Sequence, residues 1–356
     1  YTAGNHFGTF LDTVPESFFY CQRSAKECHE FGSIWIGSRL SFAAVSGLQL
    51  YISHKLDKAK ECSDGPALLL NGDQTNPLAH MICAEIRRRS LDEPPLMDAS
   101  LVATLQMLID HGLPLNTLVN GESPLGHFFY EMGTGDLYDL WSAEFTRSSE
   151  LLATVLDILL SAGCSPETAL LSHTKVYNKA SSRCACRLLH ATCNATLTRL
   201  LLKHHADPDS LDEEGHTPLD RRVALLIHIS IRYHEDLNGV STMMLGLFDS
   251  ASLLVAAGGH LTQDGYEDFL RLRERCLPNS KPTSGTLDSQ AKGNMVKFLA
   301  LMETAPVLQE RPTKRELKLL KAMYRKSTPL STYADLDRSS NQSSRILRNL
   351  FRRLKT

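Results

Sequence analysis

The stretch Thr196–Val223, TLTRLLLKHHADPDSLDEEGHTPLDRRV, decides how the rest of the chain is interpreted. Its first part is typical of a helix end, because three successive leucines precede His205 and because Pro208 prevents the helix from continuing. A new helix start follows. Thr217 is a favourable N-cap, and Pro218 suits the first helical position, where its missing N–H costs nothing. We therefore predict two helices joined by a turn.

The same helix end occurs four times along the chain. Three apolar residues are followed by two spacers and then by glycine, or once by histidine. These ends are Met107–Gly112, Ile158–Gly163, Leu200–His205 and Leu253–Gly258. Glycine adopts a positive φ freely, and histidine is one of the few other residues that does so at times, so we expect a left-handed residue at each end. Helix starts lie between these ends, near residues 38, 76, 123, 186 and 217. The alternation indicates an internal repeat.

These motifs resemble ankyrin repeats, whose usual wording is L-L-x-x-G-A-D-x-N followed by D-x-x-G-x-T-P-L-H-x-A. The resemblance covers about residues 38–262. The wording of these repeats is also similar to that of the divergent ankyrin arrays in large fungal proteins, some of which carry an upstream nucleoside-triphosphatase domain. It implies an all-α fold, an ankyrin-repeat α-solenoid of about five divergent repeats. Most starts lie further apart than the ~33-residue ankyrin period, so we expect lengthened or inserted helices.

The resemblance and the composition together suggest four regions. We expect residues 1–37, which are rich in aromatic residues, to form an N-terminal helical cap over the open end of the array. Residues 38–262 would hold the repeats, with the boundaries least certain in 126–186. Residues 263–310 would form a helical C-terminal cap, and residues 311–356 a basic tail with an amphipathic helix.

The basic tail contrasts with the rest of the chain. Residues 311–356 carry 13 Lys and Arg against 3 Asp and Glu, so the other 310 residues have a net charge of −12. Thr313 and Glu316 match a capping box that opens a helix. We expect that helix to place its apolar residues Leu317, Leu320 and Tyr324 on one side.

A second amphipathic stripe near the end of the tail is surrounded by arginines. The candidates for contact with an anionic surface are Arg345, Arg348, Arg352 and Arg353. A basic amphipathic helix suits a membrane surface or nucleic-acid phosphate, although few aromatic residues alternate with the cations to stack on bases. The other interpretation is that the tail docks on the acidic body of its own chain.

The turn tips between repeats are the candidate sites for a protein partner. In ankyrin proteins the tips and the first helices line a concave face that binds other proteins, so the resemblance implies a non-catalytic interaction module. The tip residues here are Asn120, Glu122, Asp212, Glu213, Glu214 and His216. Three successive carboxylates favour a basic partner, which includes the chain's own tail. The simpler interpretation is that these tips are polar because they are solvated.

The sequence contains no recognisable catalytic signature. It lacks G-x-S-x-G, H-E-x-x-H and a P-loop, so we predict no enzyme activity and no cofactor. On one helix Cys186, His190 and Cys193 would share a face, with Cys184 close by. Structural zinc sites usually take ligands from two elements, so we favour a packing role and predict no metal. Because the chain opens on Tyr1, a catalytic domain preceding it is a third hypothesis.

The cysteine content and the hydropathy bear on the compartment. Nine irregularly spaced cysteines do not resemble a disulfide framework and favour a reducing environment. No apolar run approaches the roughly 18 residues that a membrane-spanning helix needs. We therefore predict a cytoplasmic protein, with the nucleus as the alternative.

Overall fold

A computed structural model describes residues 48–60, 98–112, 153–172, 184–232, 237–276, 289–308 and 312–327, together with a few isolated positions. Within these residues the chain is mostly helical, and strands are confined to one short pair. The coarse prediction of an all-α protein is confirmed to that extent. In the part of the chain described, no helix is both long and apolar enough to cross a membrane.

The described elements alternate with short turns. The helices are α1 Gln49–Lys60, α2 Asp98–Asp110, α3 Leu188–Ala191, α4 Ala195–Lys203, α5 Pro218–Arg232, α6 Leu237–Ala256, α7 Gln263–Cys276, α8 Ser289–Thr304 and α9 Lys314–Ser327. Residues 153–161 are also helical. Strands β1 Ala169–Ser172 and β2 Cys184–Arg187 pair antiparallel, with Ala169 opposite Arg187.

Helices α3 to α8 are arranged in two rows. In one row α3 packs on α5 and α5 on α7, and in the other α4 packs on α6 and α6 on α8. The two rows are joined because α3 contacts α4, α5 contacts α6 and α7 contacts α8. One hydrophobic core runs through both rows and includes Leu189, Leu201, Val223, Leu254 and Phe269. Helices α7 and α8, predicted as a cap, continue the same two rows.

Four helices end at a left-handed residue. The φ angles are 84° at Gly112, 101° at Gly163, 65° at His205 and 87° at Gly258. After His205, the N–H of Ala206 donates to the carbonyl five residues earlier, at 2.9 Å. The ends at Gly163 and Gly258 make the equivalent bond, which is the Schellman arrangement that satisfies the last carbonyls of a helix. The prediction for His205 is confirmed, and it is the one non-glycine residue with positive φ among those described.

A repeated hydrogen bond connects each of these turns to the next. In each case a side-chain oxygen of one turn accepts from a backbone N–H of the next turn. The accepting residue lies four positions after one left-handed residue. The donating residue lies two positions after the next left-handed residue. The three bonds join Asn116 to the N–H of Ser165 at 3.1 Å, Glu167 to that of Asp207 at 2.8 Å, and Asp209 to that of His260 at 2.7 Å. Successive turns are therefore held in one register by the same side-chain-to-backbone bond.

The predicted helix starts also form their caps. The hydroxyl of Thr217 accepts from the N–H of Asp220 at 3.2 Å, and the carboxylate of Asp220 accepts from the N–H of Thr217 at 2.9 Å. The capping box of Thr313 and Glu316 has the same reciprocal bonds, at 3.3 and 2.7 Å. Helices α5 and α9 consequently begin where the sequence predicted.

The cysteine-rich segment differs from its prediction. Cys184 and Cys186 belong to β2, His190 lies in the single turn of α3, and Cys193 follows that turn. The expectation that Cys186, His190 and Cys193 share one helix is wrong, because the ladder with β1 keeps the first of them extended. Within the described ranges no three His, Cys, Asp or Glu side chains are grouped so that they could hold a metal ion.

The left-handed helix ends lead to a test with two glycines. A Cβ added to Gly258 meets no atom within 4 Å, so Gly258→Ala isolates the cost of positive φ and should lower the free energy of unfolding by about 1 kcal/mol. Gly293 in α8 has equal space but no positive φ. Gly293→Ala should therefore raise the free energy of unfolding by about 0.5–1 kcal/mol. Urea denaturation measures both, and shifts of the same sign would contradict this account.

Candidate interaction surface

The turn at residues 212–216 is organised by the side chain of Asp212. Its Oδ1 accepts from the N–H of Glu214 at 2.8 Å and from the N–H of His216 at 3.0 Å. Its own N–H donates to the carbonyl of His216 at 2.9 Å. Gly215 completes the turn with a φ of 88°. The shape of the tip therefore depends on one carboxylate that accepts two backbone N–H groups.

The carboxylate of Asp212 is fully buried and paired with Arg221 of α5. The Nε of Arg221 donates to Oδ2 of Asp212 at 2.7 Å, and its Nη2 lies 3.4 Å from the carboxylate of Glu214. Burial by itself would raise the pKa of Asp212. The adjacent imidazole of His216 and the charge of Arg221 outweigh burial, and the pKa lies well below its usual range. Such a pair is stable only because every charged atom finds a partner.

His216 places its imidazole beside the same carboxylates. Its Nδ1 lies 3.5 Å from Asp212 and 3.8 Å from Glu214. Burial alone would lower the pKa of His216, but the adjacent carboxylate of Asp212 raises it overall. The folded tip therefore favours the protonated imidazole. This preference stabilises the fold at low pH, and the stabilisation is lost as the pH rises through the folded pKa of His216.

The predicted tip residues have different environments. We expected three successive carboxylates to project from the tip, and the structure corrects this, because the oxygens of Asp212 are used by Arg221 and by the turn. Glu214 has 38% of its side chain exposed, and Glu213 and His216 are partly exposed. Partner binding by these three residues remains a prediction. The other site candidates lie outside the described residues: Asn120, Glu122, Arg345, Arg348, Arg352 and Arg353.

The strand pair β1–β2 lies directly beside this tip. The N–H of Glu213 donates to the carbonyl of Ala185 in β2 at 3.0 Å. Arg187, at the end of β2, donates to the carbonyl of Glu167, and its Nε lies 3.6 Å from the carboxylate of that residue. Ala169, Ala185, Arg187 and residues 211–216 together form a continuous patch, which we call the tip surface.

Helix α9 packs on the tip surface through Tyr324. That side chain is fully buried, and its hydroxyl donates to the carbonyl of Leu211 at 2.6 Å. The guanidinium of Arg187 lies 5.2 Å from the centre of the Tyr324 ring, within the range of a cation–π interaction. Ala185 packs against the ring, and Leu320 joins the same small cluster. An aromatic side chain thus anchors the C-terminal helix on the tip.

Gly215 lies directly beneath α9. A Cβ at this position would lie 2.7 Å from Cδ2 of Leu317 and 3.5 Å from Cγ of Pro312, so the end of the Leu317 side chain would have to move, and the φ of 88° itself favours glycine. Four cations of α9 whose side chains are described are exposed: Lys314, Arg315, Lys318 and Lys321. The contacts that Leu317 and Tyr324 make with the tip are apolar and hydrogen-bonded, whereas the sequence predicted attraction between charges.

Arg222 is an important residue that the sequence analysis did not identify. Its side chain is fully buried, and its guanidinium donates to the carbonyls of Leu189, His190 and Thr192 and to the hydroxyl of Ser250. These carbonyls lie at the end of α3, where a helix leaves acceptors without partners. Burial lowers the pKa of Arg222. A signal was present, since Arg221 and Arg222 directly precede the apolar run Val223–Ile227.

His190 has a structural role that suits a neutral imidazole. Its Nδ1 accepts from the N–H of Arg187 at 3.3 Å, and its Nε2 lies 3.0 Å from the carbonyl of His216, to which it donates in this tautomer. Burial lowers the pKa of His190 to about 4, which keeps the ring uncharged. It occupies in α3 the position that Asp220 has in α5, the third residue after the N-cap. This bond connects the start of α3 to the next tip.

Comparison with known proteins adds no functional information. No protein-family model matches the chain, and no curated protein matches it.

The pair of Asp212 and Arg221 makes a prediction about stability. Asp212→Asn leaves a buried guanidinium without its counter-charge, so we expect the free energy of unfolding to fall by about 3–5 kcal/mol at pH 7. The folded pKa of Asp212 is lowered, so its contribution is complete above the unfolded value, near 3.9, and is lost as the pH falls further. The difference between wild type and variant should therefore shrink below about pH 4.

The matched control for this experiment is Glu214→Gln. Glu214 also faces Arg221, but its carboxylate is partly exposed, so the loss should stay below about 1 kcal/mol. Urea denaturation at several pH values measures both variants. Equal losses in the two variants would show that Asp212 is not the structural centre of the tip.

Proposed function

We propose that the chain is an array of divergent ankyrin-like repeats and acts as a protein-interaction module without catalytic activity. The observation that carries this proposal is the repeated bond between successive turns, made by Asn116, Glu167 and Asp209. Because the same side-chain-to-backbone bond joins each turn to the next at equivalent positions, it would hold these turns along one side of the repeat array. Repeat proteins present their extended binding surfaces in this way.

The helix starts support the same proposal. The residue third after the N-cap accepts the N–H of the cap in both α3 and α5, as His190 does for Arg187 and Asp220 does for Thr217. That position corresponds to the last residue of the ankyrin T-P-L-H wording. The two rows of helices are also the packing expected of an α-solenoid, in which each pair contacts only its neighbours.

The binding face in this proposal includes the exposed part of the 212–216 tip. Glu214 is the most accessible carboxylate there, and Glu213 lies next to it. With Asp212 neutralised by Arg221, the two glutamates are the charges that a partner would meet first. A basic protein surface complements them, and complementary charge favours the rate and specificity of association.

Affinity capture with charge-reversed chains tests this function. The combined change of Glu213→Lys and Glu214→Lys should reduce the recovery of a captured partner at least about tenfold, because it places like charges against a basic surface. Glu303→Lys on α8 is the matched control, since Glu303 is an exposed carboxylate away from the tip. If both chains retain the same partners at wild-type amounts, the tip is not the binding face.

Binding to an anionic surface is the second candidate, and one observation favours it. Four exposed cations occupy the outer side of α9: Lys314, Arg315, Lys318 and Lys321. Each contributes about 1 kcal/mol near an anionic membrane, and salt weakens the attraction. Tyr324 of α9 is buried against the tip surface, so the docked helix offers mainly its charges and the exposed side chains of Leu319 and Met323.

Vesicle binding tests the second candidate. Vesicles rich in phosphatidylserine should bind the chain at low ionic strength and release most of it at about 0.15 M salt, where the Debye length is about 8 Å. The combined change of Lys318→Glu and Lys321→Glu should remove the binding, whereas Lys297→Glu on α8 should have a smaller effect. If the unmodified chain does not co-sediment with these vesicles at low salt, this function is excluded.

A further inference from the structure

We propose that α9 is a displaceable ligand of its own chain and that the tip surface beneath it binds an amphipathic helix of a protein partner. This inference rests on the proposed interaction function and adds the chemistry of the partner. The partner helix would carry two leucines three residues apart and a tyrosine four residues after the second, as Leu317, Leu320 and Tyr324 do in α9.

The first step in the argument is the construction of the tip surface. Ala185 and Gly215 expose backbone and very small side chains, so the surface accepts a helix at close range. Leu317 fills the place where a Cβ of Gly215 would lie. The positive φ of Gly215 belongs to the turn itself, whereas the space above this glycine is occupied by Leu317 of α9 and by Pro312, which precedes α9.

The second step concerns specificity for an aromatic hydroxyl. The carbonyl of Leu211 accepts from the hydroxyl of Tyr324 at 2.6 Å, and the guanidinium of Arg187 lies over the ring at 5.2 Å. The carbonyl of Leu211 and the guanidinium of Arg187 both lie beside one apolar contact area, so this area favours an aromatic ring that carries a hydroxyl donor. Aromatic residues with a polar end are common anchors of protein interfaces.

The third step is that α9 is packed separately from the main core. Tyr324 and Ala185 form their own cluster, whereas the residues between the two rows of helices form another. On the outer side of α9, Leu319 is 61% exposed. Release of α9 would therefore uncover the tip surface and leave the two rows intact, which is the property of a local opening unit.

The test uses a fluorescent peptide with the sequence of residues 312–327 and the full-length chain. In the wild-type chain α9 competes with the peptide at an effective concentration on the order of millimolar, so binding should be weak. Tyr324→Ala in the chain removes the anchor of α9 and should strengthen peptide binding at least about tenfold. Fluorescence anisotropy measures the dissociation constants.

Two matched controls make the result specific. Leu319→Ala in the chain alters the exposed side of the same helix and should bind the peptide as weakly as wild type does. A peptide that carries Tyr324→Ala should not bind the Tyr324→Ala chain measurably. A peptide with Tyr324→Phe keeps the ring but cannot donate to Leu211, and it should bind several-fold more weakly than the unmodified peptide.

Hydrogen exchange provides a second measurement on the unmodified chain. Amides from Leu317 to Tyr324 should exchange faster than those of α6, because they open without unfolding of the main core. If these amides exchange only with global unfolding, or if Tyr324→Ala prevents folding, then α9 is part of the core and the proposal is wrong. Equal peptide affinities of the wild-type and Tyr324→Ala chains would also overturn it.

The two functional proposals fail in different ways. If the peptide does not bind while partner capture still depends on Glu213 and Glu214, only the helix-binding inference is wrong. If capture is unaffected by reversal of those charges, the proposed tip function is wrong whatever the peptide does.

Discussion

The surface described above depends on the ion pair between Asp212 and Arg221. The carboxylate accepts backbone N–H groups from the turn and a guanidinium from α5, so it fixes the tip and attaches it to the helical rows. A buried carboxylate without these partners would carry a large desolvation cost. This arrangement fixes the positions of Gly215 and Glu214. Gly215 lies in the surface on which α9 packs, and Glu214 carries the exposed charge of the tip.

A related constraint holds the helical pairs together. The one-turn helix α3 is too short to satisfy its own carbonyls, and Arg222 of the next pair supplies the missing donors. Nearby, Asp209 ties one turn to the following one through the N–H of His260. Each pair therefore completes hydrogen bonds that its neighbour leaves open. The number of residues between successive left-handed helix ends varies, but the hydrogen-bonded positions keep the same distance from those ends. Successive turns therefore keep one register although the segments between them differ in length.

Helix α9 changes the interpretation of the basic tail. The sequence emphasised the charge of the tail, but Tyr324, Leu317 and Leu320 make the contact of α9 with the tip, and four of its described cations are exposed. Arg187 contributes as well, since it joins β2 to the ring and to Glu167. The tip surface is thus already shaped for a helix, which connects the proposed interaction function with α9 of the same chain. Among the described residues, helix α9 meets the tip through apolar contacts and the hydroxyl of Tyr324.

The sequence by itself determined features that depend on a few neighbouring residues. The left-handed end at His205 and the caps at Thr217 and Thr313 were predictable, because φ preferences and local side-chain-to-backbone bonds act within one turn of helix. Only the tertiary structure decided that the carboxylate of Asp212 is buried and that Cys186 belongs to a strand. The burial of Asp212 and the strand pairing of Cys186 both depend on residues that are distant in the sequence. Burying a polar group destabilises the fold when the group lacks a hydrogen-bond partner, and the local sequence does not say whether a distant residue supplies that partner.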